Sequence, residues 1–236
     1  MSNIRLFFSE SLSLNLKSKL NKSQSHYLIK VMRIKTGENF SLFNSSGEWS
    51  AKITEISKGI AEFNVIEQLR QKDNTKEIWL AFSPIKSNYL NFMIQKATEL
   101  GVTRFIPIIF DRTIVRKINK ERLEKIIIEA TEQSNRINIP ILEKPQNLKN
   151  FLNDYSKKID LVFTDLNTAK KKLEVDKKAN KPLCAIVGPE GDFSEKEREL
   201  ILNFKSVRSI NINQNILRAE TATISIISII SYILSL

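Results

Sequence analysis

The chain has 236 residues, enough for one large domain or two small ones with a substantial hydrophobic core. Its formal net charge of +11 at pH 7 favours an anionic partner such as nucleic acid, although lysine is spread through the whole chain rather than gathered in one patch. One cysteine and one histidine exclude an internal disulfide and argue against a His/Cys metal cluster or a Cys–His nucleophile pair, so we expect no bound metal.

Neither end of the chain has the pattern of a membrane segment. The N-terminus lacks the charged and then apolar order of a signal peptide. The apolar stretch 224–236 is shorter than the roughly 20 residues that cross a bilayer, and we interpret it as a core or interface helix. With a single thiol in an apolar strand, we expect a protein of a reducing compartment, the cytoplasm.

Residues 4–69 contain short apolar runs separated by close turns, a pattern that suggests a small β-barrel. A hairpin turn is predicted at residues 44–47. A helix is predicted over residues 23–32, with Ser23 or Ser25 as its N-cap. The predicted strands cover residues 5–8, 39–43, 49–56 and 60–66.

From residue 77 onward, strand and helix patterns alternate, which predicts an α/β domain with a mostly parallel sheet. The predicted strands cover residues 78–82, 105–110, 159–164, 183–187 and 207–212. The predicted helices cover residues 88–100, 120–134, 148–155, 195–203 and the segment from residue 219. We therefore divide the chain into a first domain (1–70), a linker (71–76) and a second domain (77–236).

The second domain is organised around a buried strand that leads into the sequence Gly-Pro-Glu-Gly at residues 188–191 and then into a helix capped by Ser194. The two glycines remove side-chain bulk and permit unusual backbone angles. No lysine stands where a triphosphate needs one, so the loop predicts a backbone cradle for a different ligand. Residues 212–222 repeat the order of strand, polar turn and helix, and two such strand ends side by side would form one crevice.

Several charged residues are open to both a structural and a functional interpretation. Glu132 and Arg136 are four residues apart near a helix end and could form only a surface salt bridge. Arg218 and Glu220 could form an ion pair within a helix or at an interface. The stretch 95–101 could be a helix C-cap with a lysine and a glutamate at the surface.

A second basic group lies near the N-terminus. His26 stands on the predicted helix with Lys30 and Arg33, where it either faces solvent or contacts RNA. A phosphate-binding face with stacking rings could be formed by Arg5, Phe7, Tyr27, Lys30, Arg33 and Lys35. Equally, Phe7 and Tyr27 could belong to the core.

Six segments, taken in order, resemble the RsmE-type (uracil-N3) methyltransferases of bacterial small-subunit ribosomal RNA, a branch of the SPOUT superfamily. The resemblance extends over nearly the whole chain, and its most specific pair is Gly-Pro-Glu-Gly followed by Leu-Arg-x-Glu-Thr-Ala. The six segments begin at Arg5, His26, Gln95, Glu132, Ile186 and Ile216.

The resemblance implies a fold and a set of partners. The first domain would be a PUA-like β-barrel that helps to hold RNA. The second would be an α/β domain with helices on both faces of the sheet and a trefoil knot over about residues 183–236, a topology that is nearly absent from other proteins. The protein would be a homodimer that uses S-adenosylmethionine, without a metal, to methylate 16S ribosomal RNA in the small ribosomal subunit. Its active site would be completed at the subunit interface.

The resemblance, together with the charged residues above, also implies site residues. The cofactor would contact Val187, Gly188, Pro189, Glu190, Gly191, Ile212, Asn213, Leu217, Ala219 and Thr221. The catalytic candidates are Arg218, Arg136, Glu132 and Glu220. The candidates for RNA contact are Arg5, His26, Lys30 and Arg33.

The chain departs from the family pattern at two glycine positions. Asparagine tolerates left-handed backbone angles, so we expect Asn213 to keep the geometry of the second loop. Asp192 adds a carboxylate beside a pocket that would hold a sulfonium cation. Two other functions stay open on sequence alone: a SPOUT enzyme that methylates a ribose 2′-hydroxyl or another base, and a non-enzymatic RNA-binding assembly factor.

Overall fold

The computed structural model describes residues 4–71, 76–168, 173 and 181–235. The chain divides into two compact units. The first comprises Met1–Asn74 and Thr131–Ile139, and the second comprises Thr75–Ala130 and Pro140–Leu236. The first unit thus includes a short segment that the sequence-based division placed in the second domain. Most of the predicted linker falls on residues 72–75, which lie outside the described residues, and the domain boundaries stay a prediction.

The first unit is a five-stranded sheet wrapped around a core of its own. The sheet order is β1-β3-β4-β5-β2, with β1 parallel to β3 and the other pairs antiparallel. Leu28, Leu42, Ile53 and Phe63 are fully buried in the core. The elements are β1 (Arg5–Phe7), β2 (Lys17–Lys19), α1 (Lys22–His26), β3 (Asn39–Asn44), β4 (Gly47–Ser57) and β5 (Ile60–Arg70).

The start of α1 differs from the sequence-based expectation. Its N-cap is Asn21, whose side-chain oxygen accepts a hydrogen bond from the Gln24 N–H at 2.9 Å. Ser25 is buried instead, and its hydroxyl accepts a hydrogen bond from the Ala61 N–H at 3.1 Å. The prediction of a serine cap was wrong because that hydroxyl satisfies a strand amide. After α1 the chain continues as a π-helical turn over Tyr27–Val31.

The second unit is built on a parallel sheet in the order β12-β10-β11-β6-β7-β8, with β9 also paired to β7. Its strands are β6 (Ile78–Phe82), β7 (Val102–Ile109), β8 (Ile141–Leu142), β9 (Gln146–Asn147), β10 (Asp160–Thr164), β11 (Leu183–Val187) and β12 (Val207–Ile210). Its helices are α2 (Ser87–Glu99), α3 (Lys120–Gln133), α4 (Leu148–Tyr155), α5 (Glu195–Leu202) and α6 (Ala219–Ser235). The last residues of α3 belong to the first unit.

The central strands β6 and β11 are buried on both faces, as expected of a parallel sheet between helices. Trp79 and Cys184 point to one face, where they pack with Phe151 of α4 and Ile201 of α5. On the other face, α6 contacts α2 and the strands β6 and β11. The predicted α/β class, with helices on both faces of a mostly parallel sheet, is confirmed. The trefoil knot stays a prediction.

The apolar C-terminal stretch forms α6, whose residues Ile226, Ile227 and Ile230 are fully buried. Over the described ranges, no helix combines the length and the apolar character that a membrane span requires.

Candidate functional site

The carboxyl ends of three neighbouring strands border one cavity of about 620 Å³ in the second unit. Its wall is formed by residues after β10, by the loop after β11 and by the polar turn after β12, and the start of α6 closes it. Open parallel sheets bind ligands at this edge. The volume lies within the roughly 300–1,000 Å³ typical of small-molecule sites.

Most of the residues predicted to bind a cofactor lie in this wall. They are Val187, Gly188, Pro189, Glu190, Gly191, Ile212, Asn213, Leu217 and Ala219. The catalytic candidates Arg218 and Glu220 line the same cavity. Thr221 is exposed in the first turn of α6 and is absent from the described wall. The cavity therefore brings together the two loops that the sequence singled out, while the binding role of each residue stays a prediction.

Gly188 is required by the close approach of an aromatic ring. A Cβ atom placed on Gly188 would lie 2.6 Å from the ring of Phe193, far inside van der Waals contact. That ring has little room to move, because it packs edge-on against Phe110 and Phe163, each at a centroid distance of 5.1 Å. The absence of a side chain at residue 188 thus lets the loop close over an aromatic cluster.

The unusual backbone angle of this loop is not at a glycine. Neither Gly188 nor Gly191 has a positive φ, so the expectation of unusual angles at these positions was wrong. Asp192 has φ +63°, in the left-handed region that favours glycine. Its carboxylate accepts a hydrogen bond from the Phe193 N–H at 2.8 Å, and its own N–H donates to the Pro189 carbonyl at 3.0 Å. This geometry explains why a glycine suits the position and how an aspartate is accommodated.

Asn213 shapes the second loop through its side chain rather than through a left-handed backbone. Its φ is not positive, so the expected backbone role was wrong. The Asn213 N–H donates to the side-chain oxygen of Asn211 at 3.1 Å, and the Asn213 side-chain oxygen accepts from the Asn215 N–H at 2.8 Å. These consecutive asparagine turns end β12 at Ile210, two residues before its predicted end.

The Gly-Pro-Glu-Gly loop is braced by the segment that follows β7. Arg112 donates a hydrogen bond to the Gly191 carbonyl at 2.9 Å, and the Ser194 hydroxyl donates to the Asp111 carboxylate at 2.6 Å. The buried carboxylate of Glu197 accepts from the backbone N–H groups of Asp111 at 2.8 Å and Ser194 at 3.0 Å. Ser194 and Glu197 also form a capping box, which confirms Ser194 as the N-cap of α5.

Sequence reasoning missed the contribution of β10. Thr164, Asp165 and Leu166 all line the cavity. Burial raises the pKa of Asp165, but hydrogen bonds from Arg198 (at 2.6 Å), the Asn167 N–H and Thr168, with the charge of Arg198, together outweigh burial and hold that pKa below its ordinary value. The sequence did indicate that a strand ends at residue 164, after which mostly polar residues follow. It did not indicate that this strand lies between β12 and β11, because the sheet order is a property of the tertiary structure.

Arg218 and Glu220 do not pair with each other. Neither side chain takes part in an ion pair within the part of the chain that the structure describes. Arg218 is exposed, and its guanidinium carbon lies 5.9 Å from the centre of the Tyr89 ring. The guanidinium is thus held at the cavity wall by an aromatic face, and its hydrogen-bond donors are available to a ligand.

The other two catalytic candidates belong to the first unit, where they surround a buried arginine. Arg5 donates two hydrogen bonds to the Glu48 carboxylate, at 2.9 and 3.2 Å, and further bonds to the backbone carbonyls of Glu132 and Arg136, each at 2.9 Å. The Glu132 carboxylate accepts from the Phe7 N–H at 2.8 Å. Burial lowers the pKa of Arg136 to about 10.

Arg5 is only 8% exposed, which argues against its predicted contact with RNA. Arg70 bonds to Glu48 at 2.6 Å and to the Asn135 carbonyl at 2.9 Å, so two arginines and one carboxylate attach the segment Thr131–Ile139 to the strands of the first unit. Burial raises the pKa of Glu48, but the hydrogen bonds and the positive charges of the two arginines together outweigh burial and lower the pKa overall.

The remaining candidates are at the surface. His26, Lys30 and Arg33 are all exposed on the first unit. In the stretch 95–101, Lys96 and Glu99 form an ion pair at 2.9 Å, and Gly101 ends the helix with φ +105°, as expected of a C-cap. No group of three or more His, Cys, Asp or Glu side chains within the described residues is placed to hold a metal ion.

Comparisons with known proteins agree with this architecture. A family model described as an RNA methyltransferase domain matches residues 72–231, and one described as an RNA methyltransferase PUA domain matches residues 20–66. The ribosomal RNA small subunit methyltransferase E of Rickettsia conorii is 37% identical over 231 residues, covering 95% of this chain and 93% of the relative. The protein of the same name from Aquifex aeolicus is 30% identical, covering 96% and 99%.

Solved structures similar to this chain are also described as methyltransferases. The ribosomal RNA small subunit methyltransferase E of Neisseria gonorrhoeae, solved with bound S-adenosylmethionine, is 27% identical, with a TM-score of 0.89 and 98% of each chain covered. A Legionella pneumophila protein described as a methyltransferase, also solved with S-adenosylmethionine, is 25% identical, with a TM-score of 0.86, covering 99% of this chain and 98% of that one.

The residues of the cavity fit such a cofactor. Backbone groups of two loops, apolar side chains such as Val187 and Leu217, and several carboxylates surround a space of suitable size, and an adenosyl group joined to an amino acid needs apolar contact together with polar partners. The predicted resemblance is confirmed: this chain belongs to the ribosomal RNA small subunit methyltransferase E family, the RsmE-type, S-adenosylmethionine-dependent branch of the RNA methyltransferases.

Proposed function

We propose that the protein transfers a methyl group from S-adenosylmethionine to N3 of a specific uridine in the 16S ribosomal RNA of the small subunit. The observation that carries this proposal is the single cavity lined by the Gly-Pro-Glu-Gly loop, the turn after β12 and Arg218, in a chain that belongs to the RsmE-type family. The cavity supports a cofactor site, and the family membership supports the acceptor.

The cofactor site would be formed by the backbone of residues 188–191 and 212–217, with Ala219 at the start of α6. When bound, S-adenosylmethionine supplies a methyl group on a positively charged sulfur, a centre that needs no enzyme nucleophile. The protein's task is therefore to position donor and acceptor. Holding two reactants in the right geometry can by itself remove a large part of the activation barrier. The hydrogen bond that Arg112 donates and the two that the Glu197 carboxylate accepts support that task, because they fix the first loop and the start of α5.

Uracil N3 carries a proton that must leave as the new N–C bond forms. We assign to Arg218 the role of donating hydrogen bonds to a uracil carbonyl oxygen, which stabilises the negative charge that develops when the proton leaves. Its exposed guanidinium at the cavity wall supports this role. Glu220, two residues after Arg218 in the first turn of α6, is our candidate for organising Arg218 or for accepting the proton.

Arg136 is our second candidate for stabilising or orienting uracil, and Glu132 is a candidate for organising the arginines. Arg5 and Arg70 donate hydrogen bonds to backbone carbonyls of the segment that contains Glu132 and Arg136. These bonds fix the backbone from which the two side chains extend. His26, Lys30 and Arg33 would contact phosphates, which positions RNA without reading its sequence. Because N3 of a paired uridine is buried in the base pair, the target must be unpaired or flipped out.

We also propose that the enzyme is a homodimer whose active site is completed at the subunit interface. Three large side chains of α2 and α6 support this, since Tyr89, Phe92 and Tyr232 are 41%, 47% and 65% exposed, and an interface on these helices would bury them. Because its substrate is ribosomal RNA, we place the enzyme in the cytoplasm.

The test is methyl transfer from labelled S-adenosylmethionine to small ribosomal subunits from a strain that lacks the activity, with naked ribosomal RNA and transfer RNA alongside. The proposal expects 3-methyluridine in the RNA of the small subunit, identified by mass spectrometry of the nucleosides. Label on a ribose 2′-hydroxyl or on another base would leave the methyltransferase assignment intact and overturn the acceptor. No label, with folded protein, would favour an RNA-binding assembly factor.

A further inference from the structure

The cofactor cavity carries a charge opposite to that of the chain as a whole. The chain has a formal net charge of +11. The described wall of the cavity nevertheless contains four carboxylates, from Asp165, Glu190, Asp192 and Glu220, and one cation, Arg218. A ligand in this cavity is therefore surrounded by more negative than positive groups.

These carboxylates differ in how freely their charge can act on a ligand. Asp165 is buried and paired with Arg198 at 2.6 Å, so its charge is largely compensated. Asp192 has no such ion pair among the described residues. One of its oxygens accepts the hydrogen bond from the Phe193 N–H, which fixes the carboxylate at the cavity wall.

The side chain of Asp192 contributes charge rather than backbone geometry. With φ +63°, the position suits glycine better than any other residue. The carboxylate is therefore an addition to a loop that could close without it. The cations near this loop are Arg112, which bonds to the Gly191 carbonyl, and Arg198, which pairs with Asp165. Arg198 is also attracted by Asp192, and the two cations weaken the field of the Asp192 carboxylate.

The methyl donor and the product of transfer differ in one charge. The sulfur of S-adenosylmethionine is a sulfonium cation, whereas the sulfur of S-adenosylhomocysteine is neutral, and apart from the transferred methyl group the two molecules are alike. Any negative charge near the cavity must therefore favour the donor over the product. For a partly solvated carboxylate several ångströms away, the effect on affinity is about two- to fivefold.

We propose that Asp192 is a specificity-determining residue that makes the pocket prefer the cationic methyl donor to its neutral product. The inference rests on the proposed function, because it concerns the pocket assigned there to S-adenosylmethionine. Its consequence is weaker product inhibition, since the pocket loses part of its attraction for the bound molecule once the methyl group has been transferred.

The test is calorimetric titration of the full-length protein and of Asp192→Asn with three ligands. These are S-adenosylmethionine, S-adenosylhomocysteine and sinefungin, an analogue with a protonated amine in place of the methylsulfonium group. Asparagine keeps the oxygen that accepts from the Phe193 N–H and tolerates a left-handed φ, so the substitution removes little besides the charge. We expect both cationic ligands to bind about two- to fivefold more weakly and the neutral one to be unchanged. The difference should shrink as salt is added.

Two further variants separate the possible causes. Glu195→Gln makes the same charge change on the first turn of α5, at an exposed residue outside the described cavity wall. Asp192→Gly removes the carboxylate and also relieves the left-handed backbone, and it should reproduce the altered ratio of donor to product affinity. An equal loss for all three ligands in both Asp192 variants, or the same shift in Glu195→Gln, would overturn the inference. If the unaltered protein binds none of the ligands, the proposed function itself fails.

Discussion

Phe193 occupies the space where residue 188 would otherwise carry a side chain. The ring lies 2.6 Å from the position of a Cβ atom on Gly188, and it is wedged between Phe110 and Phe163. The loop that borders the cofactor cavity is therefore shaped by packing against a buried aromatic cluster beneath it. A substitution at Gly188 must move either the loop or the ring.

The two glycines of this loop should respond differently to alanine. Gly188→Ala forces a shift of the loop or of Phe193, and we expect the affinity for S-adenosylmethionine to fall by about tenfold or more. Gly191→Ala is the matched control, because its Cβ would meet only Arg112, at 3.5 Å, an ordinary contact. Calorimetry of both variants provides the comparison, and similar affinities for the two would contradict this account of the loop.

Arg218→Ala should abolish methyl transfer and leave S-adenosylmethionine binding within about threefold of the original, because the guanidinium acts on uracil in our proposal. Transfer is measured with small subunits, and binding by calorimetry. Arg122→Ala, at an exposed arginine of α3 outside the described cavity wall, is the control and should retain activity. Loss of cofactor binding in Arg218→Ala would assign this arginine to the cofactor instead.

Glu48→Gln should destabilise the first unit. Glu48 is 3% exposed and balances two arginines, one of them buried, and removing one partner of a buried pair typically costs about 3–5 kcal/mol in the free energy of unfolding. Unfolding in urea can be followed through Trp49 in a Trp79→Phe background, so that the signal comes from the first unit.

The control for this substitution is Glu55→Gln on the same strand. Glu55 is exposed and stands opposite Glu62 on β5, so removing its charge should be neutral or slightly stabilising. Equal effects of the two substitutions would show that Glu48 makes no special contribution to the first unit.

Stability should fall in acid partly through Asp165. Its pKa is lowered in the folded protein, so the unfolded chain binds the proton more readily. The stabilisation it contributes is therefore present above the unfolded pKa of about 4 and is lost as the pH falls through the lower folded value. We expect Tm to drop less steeply between about pH 5 and pH 3 in Asp165→Asn than in the unaltered protein. If Tm falls equally steeply with pH in the two proteins, Asp165 does not contribute to the loss of stability in acid.

Patterns a few residues long predicted most of the local structure. β6, β11 and α4 have the bounds that their apolar runs indicate, and the Ser194 cap and the Gly101 stop lie where expected. These features depend on hydrogen bonds and burial within short segments, so the sequence is enough to find them. The predicted bounds were less accurate where the end of a strand depends on pairing with a distant strand. β5 extends to Arg70 because its polar end pairs with β4, which local composition could not show.

The sequence by itself determined the family, the α/β class and the two loops of the cofactor cavity, because the residue types of short motifs set local geometry and chemistry. Only the tertiary structure decided which groups meet. The sheet order brings Asp165 to the cavity, the fold of the first unit buries Arg5 against Glu48, and packing on Phe193 explains Gly188. These relationships join residues far apart in the chain, and no local pattern of hydrophobicity or propensity reports a contact of that kind.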